Sequence, residues 1–197
     1  MYKNMLIIGS DKSGKTTLAN LINDKFDCNV VNLDNIINAF ETTFPKEDSS
    51  NYDEFETNFI INYINQISDK KNFYSNKKVV LEGKILFIDK IIDKIDLTKI
   101  SVIGLTYNDV ELEKFASDIK EYASNIDMFR YYSNSILIKK ATKFIEDNKM
   151  INSLLEQYDI NSYDVSENRN QTFYEILSDI PKLTSINSTY KVKKKNK

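Results

Sequence analysis

The stretch that decides the fold is MLIIGSDKSGKTTLANLIND, residues 5–24. At its centre, GSDKSGKT (residues 9–16) fits the pattern G-x-x-x-x-G-K-[ST] without a mismatch. The apolar run Met5–Ile8 before it is typical of a short buried strand, and Leu18 and Ile22 after it share one helical face. Strand, loop and helix therefore follow one another in the order that this motif requires.

The residue types of the loop suit a cradle for phosphate groups. Glycines let the backbone adopt conformations that a side chain would forbid, so that N–H groups turn inward around phosphate oxygens. A helix beginning near Lys15 adds the positive end of its dipole. Lys15 would reach the β- and γ-phosphates, and Thr16 would place its hydroxyl on Mg²⁺. We predict nucleotide contacts from Gly9, Ser10, Asp11, Lys12, Ser13, Gly14, Lys15, Thr16 and Thr17.

Length and charge predict one domain and a tail. A chain of 197 residues suits a single domain, here residues 1–187. The formal net charge is −2, but residues 188–197 (STYKVKKKNK) hold five lysines and no acid, which leaves 22 basic and 29 acidic residues in the body. We expect the tail to be disordered, and the acidic body argues against nucleic acid as a partner.

Composition excludes several kinds of site. Cys28 is the single cysteine, so the chain has no internal disulfide framework. Without histidine, a histidine general base, a histidine metal ligand and a Ser-His-Asp triad are all excluded. No apolar run approaches the roughly 18 residues of a membrane span. These features predict a protein of the reduced cytoplasm with no membrane partner.

The hydrophobic pattern alternates between strands and helices. A sheet that alternates with helices in this way is parallel and covered on both faces. The last helix carries Phe173 and Ile180 on one face, and we expect Pro181 to stop it. The five strand candidates are Met5–Ile8, Asn29–Leu33, Lys78–Leu81, Ile100–Leu105 and Ser162–Val165.

Ligands of open α/β sheets bind beyond the carboxyl ends of the strands, where this chain places two acids. Asp34 follows the second strand, where it either caps the next helix or orients an acceptor, and the two roles are compatible. Glu82 ends an apolar strand that does not need it for packing, which favours a ligand for magnesium-bound water or for the acceptor. Lys84, two residues later, has the simpler interpretation of a surface lysine.

The chain has two arginines against twenty-five lysines. Because a guanidinium grips phosphate with two parallel bonds, a rare arginine is a candidate phosphate or base contact. Arg130 lies in SNIDMFRYYSNS between two helical patterns, and Arg169 follows the fifth strand. Scattered surface arginines are the competing interpretation.

The pattern resembles the P-loop kinases of the adenylate kinase-like superfamily over about residues 3–181. The resemblance rests on GSDKSGKT, Asp34, VVLEG at the third strand, a helical segment at about 120–135, and YDVSENR before the last helix. It implies a three-layer P-loop NTPase fold, a five-stranded parallel sheet in the order 2-3-1-4-5 and a helical lid at 120–135. It also implies transfer of the γ-phosphoryl group from ATP, with Arg130 as a lid contact to phosphate and Arg169 near adenine.

Departures from the family leave the acceptor open. The loop is similar to that of thymidylate kinases, in which the loop aspartate, here Asp11, faces the substrate. Their Asp-Arg pair after the third strand is replaced by Glu82 and Gly83, and the Asp-Gly-x-Pro-Arg of nucleoside monophosphate kinases is missing. A nucleoside, a nucleotide, a sugar and another metabolite all remain possible acceptors.

The sequence thus predicts an ATP- and Mg²⁺-dependent phosphotransferase. We assign catalytic roles to Lys15, Asp34, Glu82 and Arg130, and magnesium to Thr16 and Glu82. The alternative is an ATP-binding switch with slow hydrolysis. A GTPase is disfavoured, because the nearest string to Asn-Lys-x-Asp, at residues 148–151, lacks the aspartate and lies in a helical pattern. The oligomeric state is left open.

Overall fold

The computed structural model describes residues 3–44, 52–69, 77–124 and 127–183. Its strands are β1 (Asn4–Gly9), β2 (Asn29–Asn32), β3 (Val79–Gly83), β4 (Ile100–Thr106) and β5 (Ser162–Asp164). Its helices are α1 (Lys15–Phe26), α2 (Leu33–Thr43), α3 (Tyr52–Ser68), α4 (Ile88–Ile91), α5 (Leu112–Glu121), α6 (Asn134–Gln157) and α7 (Arg169–Leu183). A single 3₁₀ turn, Met128–Tyr131, lies between α5 and α6 in the predicted lid segment.

The sheet is parallel throughout and has the order β2-β3-β1-β4-β5, as predicted. β1 lies at its centre, and all six of its residues are buried. The phosphate loop follows β1 directly, so it begins at the middle of the carboxyl edge of the sheet. The parallel strands β2, β3 and β4 also end at this edge. The predicted strand-end residues are therefore brought towards one another.

Two apolar cores cover the two faces of the sheet. Alternate residues of β1 point to opposite faces: Met5 and Ile7 join the core that includes α1 and α7, while Leu6 and Ile8 join the core that includes α3 and α4. Helix α6 contributes to both cores. In its middle, Asp147 contacts Lys84 after β3, and Asn148 is hydrogen-bonded to Tyr107 after β4. No described helix is both long enough and apolar enough to cross a membrane.

The boundary between β2 and α2 corrects one expectation. Leu33, predicted as the end of the strand, is the first residue of α2. The helix is capped by Asn32, whose side-chain oxygen accepts the backbone N–H of Asn35 at 2.7 Å. Asp34 is therefore not the cap. It lies inside the first helical turn, where its charge suits the positive end of the helix dipole.

Pro181 does not end the last helix, because α7 continues to Leu183. A proline in a helix removes the hydrogen bond to the carbonyl four residues earlier, here that of Leu177. That carbonyl instead accepts the ammonium of Lys25 at 3.4 Å. The carbonyl of Leu183 accepts the hydroxyl of Ser101 at 2.7 Å, which holds the end of the helix on β4. Residues 188–197 lie outside the described residues, so the predicted disorder of the tail stays a prediction.

Candidate nucleotide and acceptor site

The backbone of the loop has the shape that its glycines imply. Gly14 caps α1 with φ of 89°, a left-handed conformation that disfavours other residues. A Cβ atom there would also come within 2.8 Å of the ring of Phe173. Lys12 adopts a positive φ of 64°, which is uncommon for a lysine. Two residues of the loop, Lys12 and Gly14, thus lie in the left-handed region of backbone conformation.

Lys15 is the first residue of α1 and is 6% exposed. Its ammonium donates to the carbonyl of Ser10 at 3.0 Å, inside the loop. Burial lowers its pKa, while the nearby carboxylates of Asp34, Glu82 and Asp11 oppose that shift. The predicted phosphate-binding lysine and the three acids therefore lie within electrostatic reach of one another.

Glu82 is fully buried at the end of β3, and two side chains donate to its Oε1 atom. Thr16 Oγ1 lies 3.0 Å away and Asn32 Nδ2 lies 2.5 Å away. Its other oxygen, Oε2, is buried and has no hydrogen-bond partner among the described residues. A buried carboxylate oxygen without a partner is costly, so the arrangement fits a cation or a metal-bound water at this point. The structure thus joins Thr16 and Glu82, the two predicted magnesium residues.

Asp34 is held at the carboxyl end of β3 by the backbone. Its Oδ1 atom accepts the N–H of Lys84 at 2.7 Å, and no hydrogen bond to its Oδ2 atom is present among the described residues. Gly83 permits the approach, since a Cβ atom there would lie 3.1 Å from Asp34 Oδ1 and 2.9 Å from the Cβ of Leu33. Asp34 is therefore fixed by one oxygen, and its second can serve a ligand.

Lys84 is not a simple surface lysine. Its ammonium lies 2.8 Å from Asp11 Oδ2 of the phosphate loop and 3.3 Å from Oδ2 of Asp147, a fully buried residue of α6. Burial alone would lower the pKa of Lys84, but its hydrogen bonds to the two carboxylates and their charges raise it. Lys143 contacts the other oxygen of Asp147 at 2.8 Å. A charge network therefore joins the loop, β3 and α6.

A second network, made of uncharged groups, fixes the start of the phosphate loop. The Tyr107 hydroxyl lies 3.1 Å from Ser10 Oγ, 3.1 Å from the Asp11 carbonyl and 2.9 Å from the Phe144 carbonyl. Burial raises the pKa of this Tyr107 hydroxyl, so it stays protonated and can donate. Asn148 accepts the backbone N–H of Tyr107 at 3.1 Å and donates to its carbonyl at 2.7 Å. The start of the loop is thereby fixed to β4 and α6.

The outer side of the loop contacts the predicted lid and the last helix. Lys12 pairs with Asp127 at 2.9 Å and lies 4.0 Å from the centre of the Phe129 ring. Arg169 donates to the carbonyl of Lys12 at 3.0 Å, so it does reach the loop. Arg130 is exposed, and its guanidinium donates to the carbonyl of Ala123 at 3.5 Å, within the predicted lid segment. The phosphate contact of Arg130 stays a prediction, as does that of Thr17, whose side chain is exposed.

Sequence reasoning missed several residues of the site. The sequence patterns assign no site role to Asn32, Tyr107, Asp147 and Asn148, and they favour a surface position for Lys84. Asp147 and Asn148 form a polar dipeptide at positions that the helical pattern predicts to be buried, and this is the local signal that marks them. Asn148 begins the string nearest to a guanine motif, and its place in α6 confirms the helical interpretation. Nothing local marks Asn32 as a partner of Glu82, since the two are 50 residues apart.

Comparison with known proteins gives the fold a context. No family model and no curated protein matches the sequence. Among solved structures, a gluconokinase from Sinorhizobium meliloti 1021 aligns with a TM-score of 0.53 and 14% identity, over 92% of this chain and 93% of that one. A shikimate kinase from Acinetobacter baumannii in complex with shikimate aligns with a TM-score of 0.55 and 15% identity, over 93% of each chain.

An uncharacterized protein from Eubacterium ventriosum ATCC 27560 aligns with a TM-score of 0.56 and 10% identity, over 91% of this chain and 99% of that one. At identities of 10–15% the likeness concerns the fold. The two neighbours with named activities are P-loop small-molecule kinases. The sheet order and the helices on both faces therefore confirm the predicted fold, a parallel α/β sheet in the order 2-3-1-4-5 that this chain shares with those kinases.

Proposed function

We propose that this protein transfers the γ-phosphoryl group of ATP to a hydroxyl group of a small-molecule acceptor. One observation carries the proposal. Lys15, Thr16, Asp34 and Glu82 come from three separate segments, and they meet at the carboxyl edge of the sheet. Phosphoryl transfer depends on positioning and on charge stabilisation, and these groups supply both. The kinase fold of the neighbours supports the same conclusion.

Each residue has a distinct role in this proposal. The loop N–H groups and Lys15 hold the phosphates, and the lysine charge stabilises the transferring group. Asp34 orients the acceptor hydroxyl and takes its proton through the oxygen that the Lys84 N–H leaves available. Arg169 holds the loop through the carbonyl of Lys12, on the side where adenine would bind. Arg130 reaches the phosphates if the lid segment moves. An acceptor hydroxyl is then bound between Asp34 and the loop.

Magnesium fits the residues that are present. Thr16 and Glu82 are in contact, and each offers a hard oxygen atom to the ion: Oγ1 of Thr16 and the unpartnered Oε2 of Glu82. Mg²⁺ keeps several waters, so one direct ligand and one ligand through water are sufficient from the protein. When bound, the ion neutralises phosphate charge during transfer. The proposal suits a cytoplasmic protein, where Mg-ATP is available.

The direct test is incubation of the full chain with Mg-ATP and a panel of hydroxyl compounds, followed by detection of phosphorylated product. Lys15→Ala should abolish any product, and Lys140→Ala, an exposed lysine on α6, is the matched control. Rapid release of phosphate without an acceptor would instead favour an ATPase, since a kinase site excludes water until its lid closes. Binding of ATP with neither transfer nor rapid release would favour the ATP-binding switch.

Glu82→Gln tests the magnesium role separately. The change keeps the shape and removes the charge, so the Mg²⁺ concentration for half-maximal transfer should rise about tenfold. Asn32→Ala removes the other donor to the same oxygen and serves as a comparison. An unchanged magnesium dependence in Glu82→Gln would contradict the assignment.

A further inference from the structure

We propose that Lys84 is a positioning residue for the nucleotide: its ammonium neutralises and holds Asp11, so that a loop containing an acid can receive phosphate groups. The inference deepens the proposed function and rests on it, because it assumes that residues 9–16 bind the phosphates of ATP. It is carried by the ion pair between Lys84 and Asp11, which joins the loop to a residue 73 positions later in the chain.

Asp11 places a carboxylate in the loop that the proposed function uses to bind anions. Burial lowers the pKa of Lys15, and the charge of Asp11 is one of three carboxylate charges that oppose this shift. An unpaired carboxylate within electrostatic reach of Lys15 would compete with phosphate for the lysine and would repel the triphosphate. Asp11 therefore needs a cation of its own if the loop is to bind nucleotide tightly.

Lys84 supplies that cation from outside the loop. Its ammonium lies 2.8 Å from Asp11 Oδ2, and the side chains of the two residues are 30% and 35% exposed. A pair that is partly shielded from water in this way is screened by salt less than a pair on the open surface. The lysines of the loop itself are directed elsewhere, since Lys12 pairs with Asp127 at 2.9 Å and Lys15 donates to a loop carbonyl at 3.0 Å.

The position of Lys84 is fixed by elements other than the loop. Its backbone follows Gly83, the last residue of β3, and precedes Ile85, which is fully buried in the apolar core. Its N–H donates to Asp34 Oδ1 at 2.7 Å, and its ammonium also lies 3.3 Å from Oδ2 of Asp147, a fully buried residue of α6. The charge that neutralises the loop is therefore placed by β3 and α6.

Asp147 does not depend on Lys84 alone. Its other oxygen lies 2.8 Å from the ammonium of Lys143, on the same helix. A neutral residue at position 84 therefore leaves Asp147 with a cation, whereas Asp11 loses the cation that it contacts. The main consequence of such a change is an unpaired acid in the phosphate loop.

The test measures binding of a non-hydrolysable Mg-ATP analogue to the full chain by calorimetry, so it requires no acceptor. Lys84→Met keeps most of the side-chain length and removes the charge, and the dissociation constant should rise about tenfold. Lys99→Met is the matched control, because Lys99 is paired with Asp96 at 3.2 Å and precedes β4, at the opposite edge of the sheet. This control loses the same charge and should bind the analogue like the wild type.

A second change in the same chain separates the charge effect from damage to the fold. Asp11→Asn removes the acid that Lys84→Met leaves unpaired, so the double variant should bind within about threefold of the wild type. Asp24→Asn, an exposed residue of α1, restores the same net charge in a control double variant and should give no recovery. Affinity lost through a damaged fold would be recovered by neither change.

The outcomes distinguish this inference from the proposed function. Weaker binding in Lys84→Met with recovery by Asp11→Asn supports the inference, even if no acceptor is phosphorylated. If the wild type does not bind the analogue, the proposed function fails and the inference fails with it. If the wild type binds and Lys84→Met binds equally well, or if Asp11→Asn brings no recovery, the inference alone is overturned. If Lys84→Met does not fold, Lys84→Gln replaces it, because its polar head group keeps a hydrogen-bond donor beside the two carboxylates.

Discussion

The two ends of the candidate site are built in different ways. The predicted phosphate loop is one continuous segment, residues 9–16, and in the proposed function it works through backbone N–H groups and Lys15. The proposed acceptor end is formed around Asp34 of α2, and the side chains beside it come from separate segments: Lys84 after β3 joins Asp11 of the loop to Asp147 of α6. The first end has a sequence signature, and the second has none.

The difference follows from what each end must bind. A triphosphate presents the same oxygen atoms in every kinase, so one backbone conformation serves it, and that conformation needs glycines at fixed positions. An acceptor differs between kinases, so its contacts depend on side chains that fit one compound. We therefore expect changes at the two ends to have separable effects, on nucleotide binding at one and on transfer at the other.

Asp34→Asn should have a large effect on transfer and little effect on nucleotide binding. The change keeps the hydrogen bond to the Lys84 N–H but removes the general base, so kcat should fall about 10²–10⁴-fold. Measured nucleotide affinity should stay near wild type. Asp24→Asn, an exposed residue of α1, is the control for loss of one carboxylate. Full activity in Asp34→Asn would contradict the proposed difference between the two ends, since Asp34 would then not be the general base.

Asn148→Ala should reduce the free energy of unfolding by roughly 2–4 kcal/mol. The asparagine satisfies the backbone N–H and C=O of Tyr107, and both groups would be left buried without it. Urea unfolding measures the loss, and Asn152→Ala, one turn later on the same helix, is the control. A loss below about 0.5 kcal/mol would mean that the loop keeps its shape without support from α6.

The same contrast explains what could be predicted from the sequence. The parallel sheet followed from apolar runs that alternate with helical patterns, because these signals are local and repeat along the chain. Its strand order followed only from the family resemblance. Glu82 could be singled out, since an acid at the end of an apolar strand has no packing role. Its contacts with Thr16 and Asn32 depend on how β1, β2 and β3 pair, which only the folded chain decides.

Lys84 and Asp147 show why the other contacts of the site could not be predicted from the sequence. They are 63 residues apart, and each resembles an ordinary charged residue in its own segment. The helix end at Pro181 was wrong for a related reason: the carbonyl that the proline leaves unpaired is satisfied by Lys25, a residue 152 positions away. Local rules fail where a distant side chain supplies the missing partner.

Lys15→Ala should remove most of the stabilisation that Mg-ATP gives. At about a hundred times the dissociation constant, a ligand of the native state adds roughly 2.7 kcal/mol, which for a chain of this size raises Tm by about 5–10 °C. Each variant is compared with its own ligand-free Tm, because loss of a buried lysine also changes the starting stability. Equal shifts in wild type and Lys15→Ala would refute the nucleotide assignment of the loop.

Deletion of residues 188–197 should have the smallest effect of all, on both ends of the site. The segment has five lysines and almost no apolar residue to bury, and the last described helix, α7, ends before it at Leu183. α7 packs on the core through Phe173 and Ile180, and its end is held by the hydrogen bond from Ser101 to the Leu183 carbonyl. Tm should therefore change by less than about 1 °C and nucleotide affinity should stay the same. A longer deletion, residues 181–197, removes that hydrogen bond and should lower Tm by several degrees. If the short deletion were as damaging as the long one, or if it weakened nucleotide binding, the lysine-rich segment would belong to the phosphate end of the molecule.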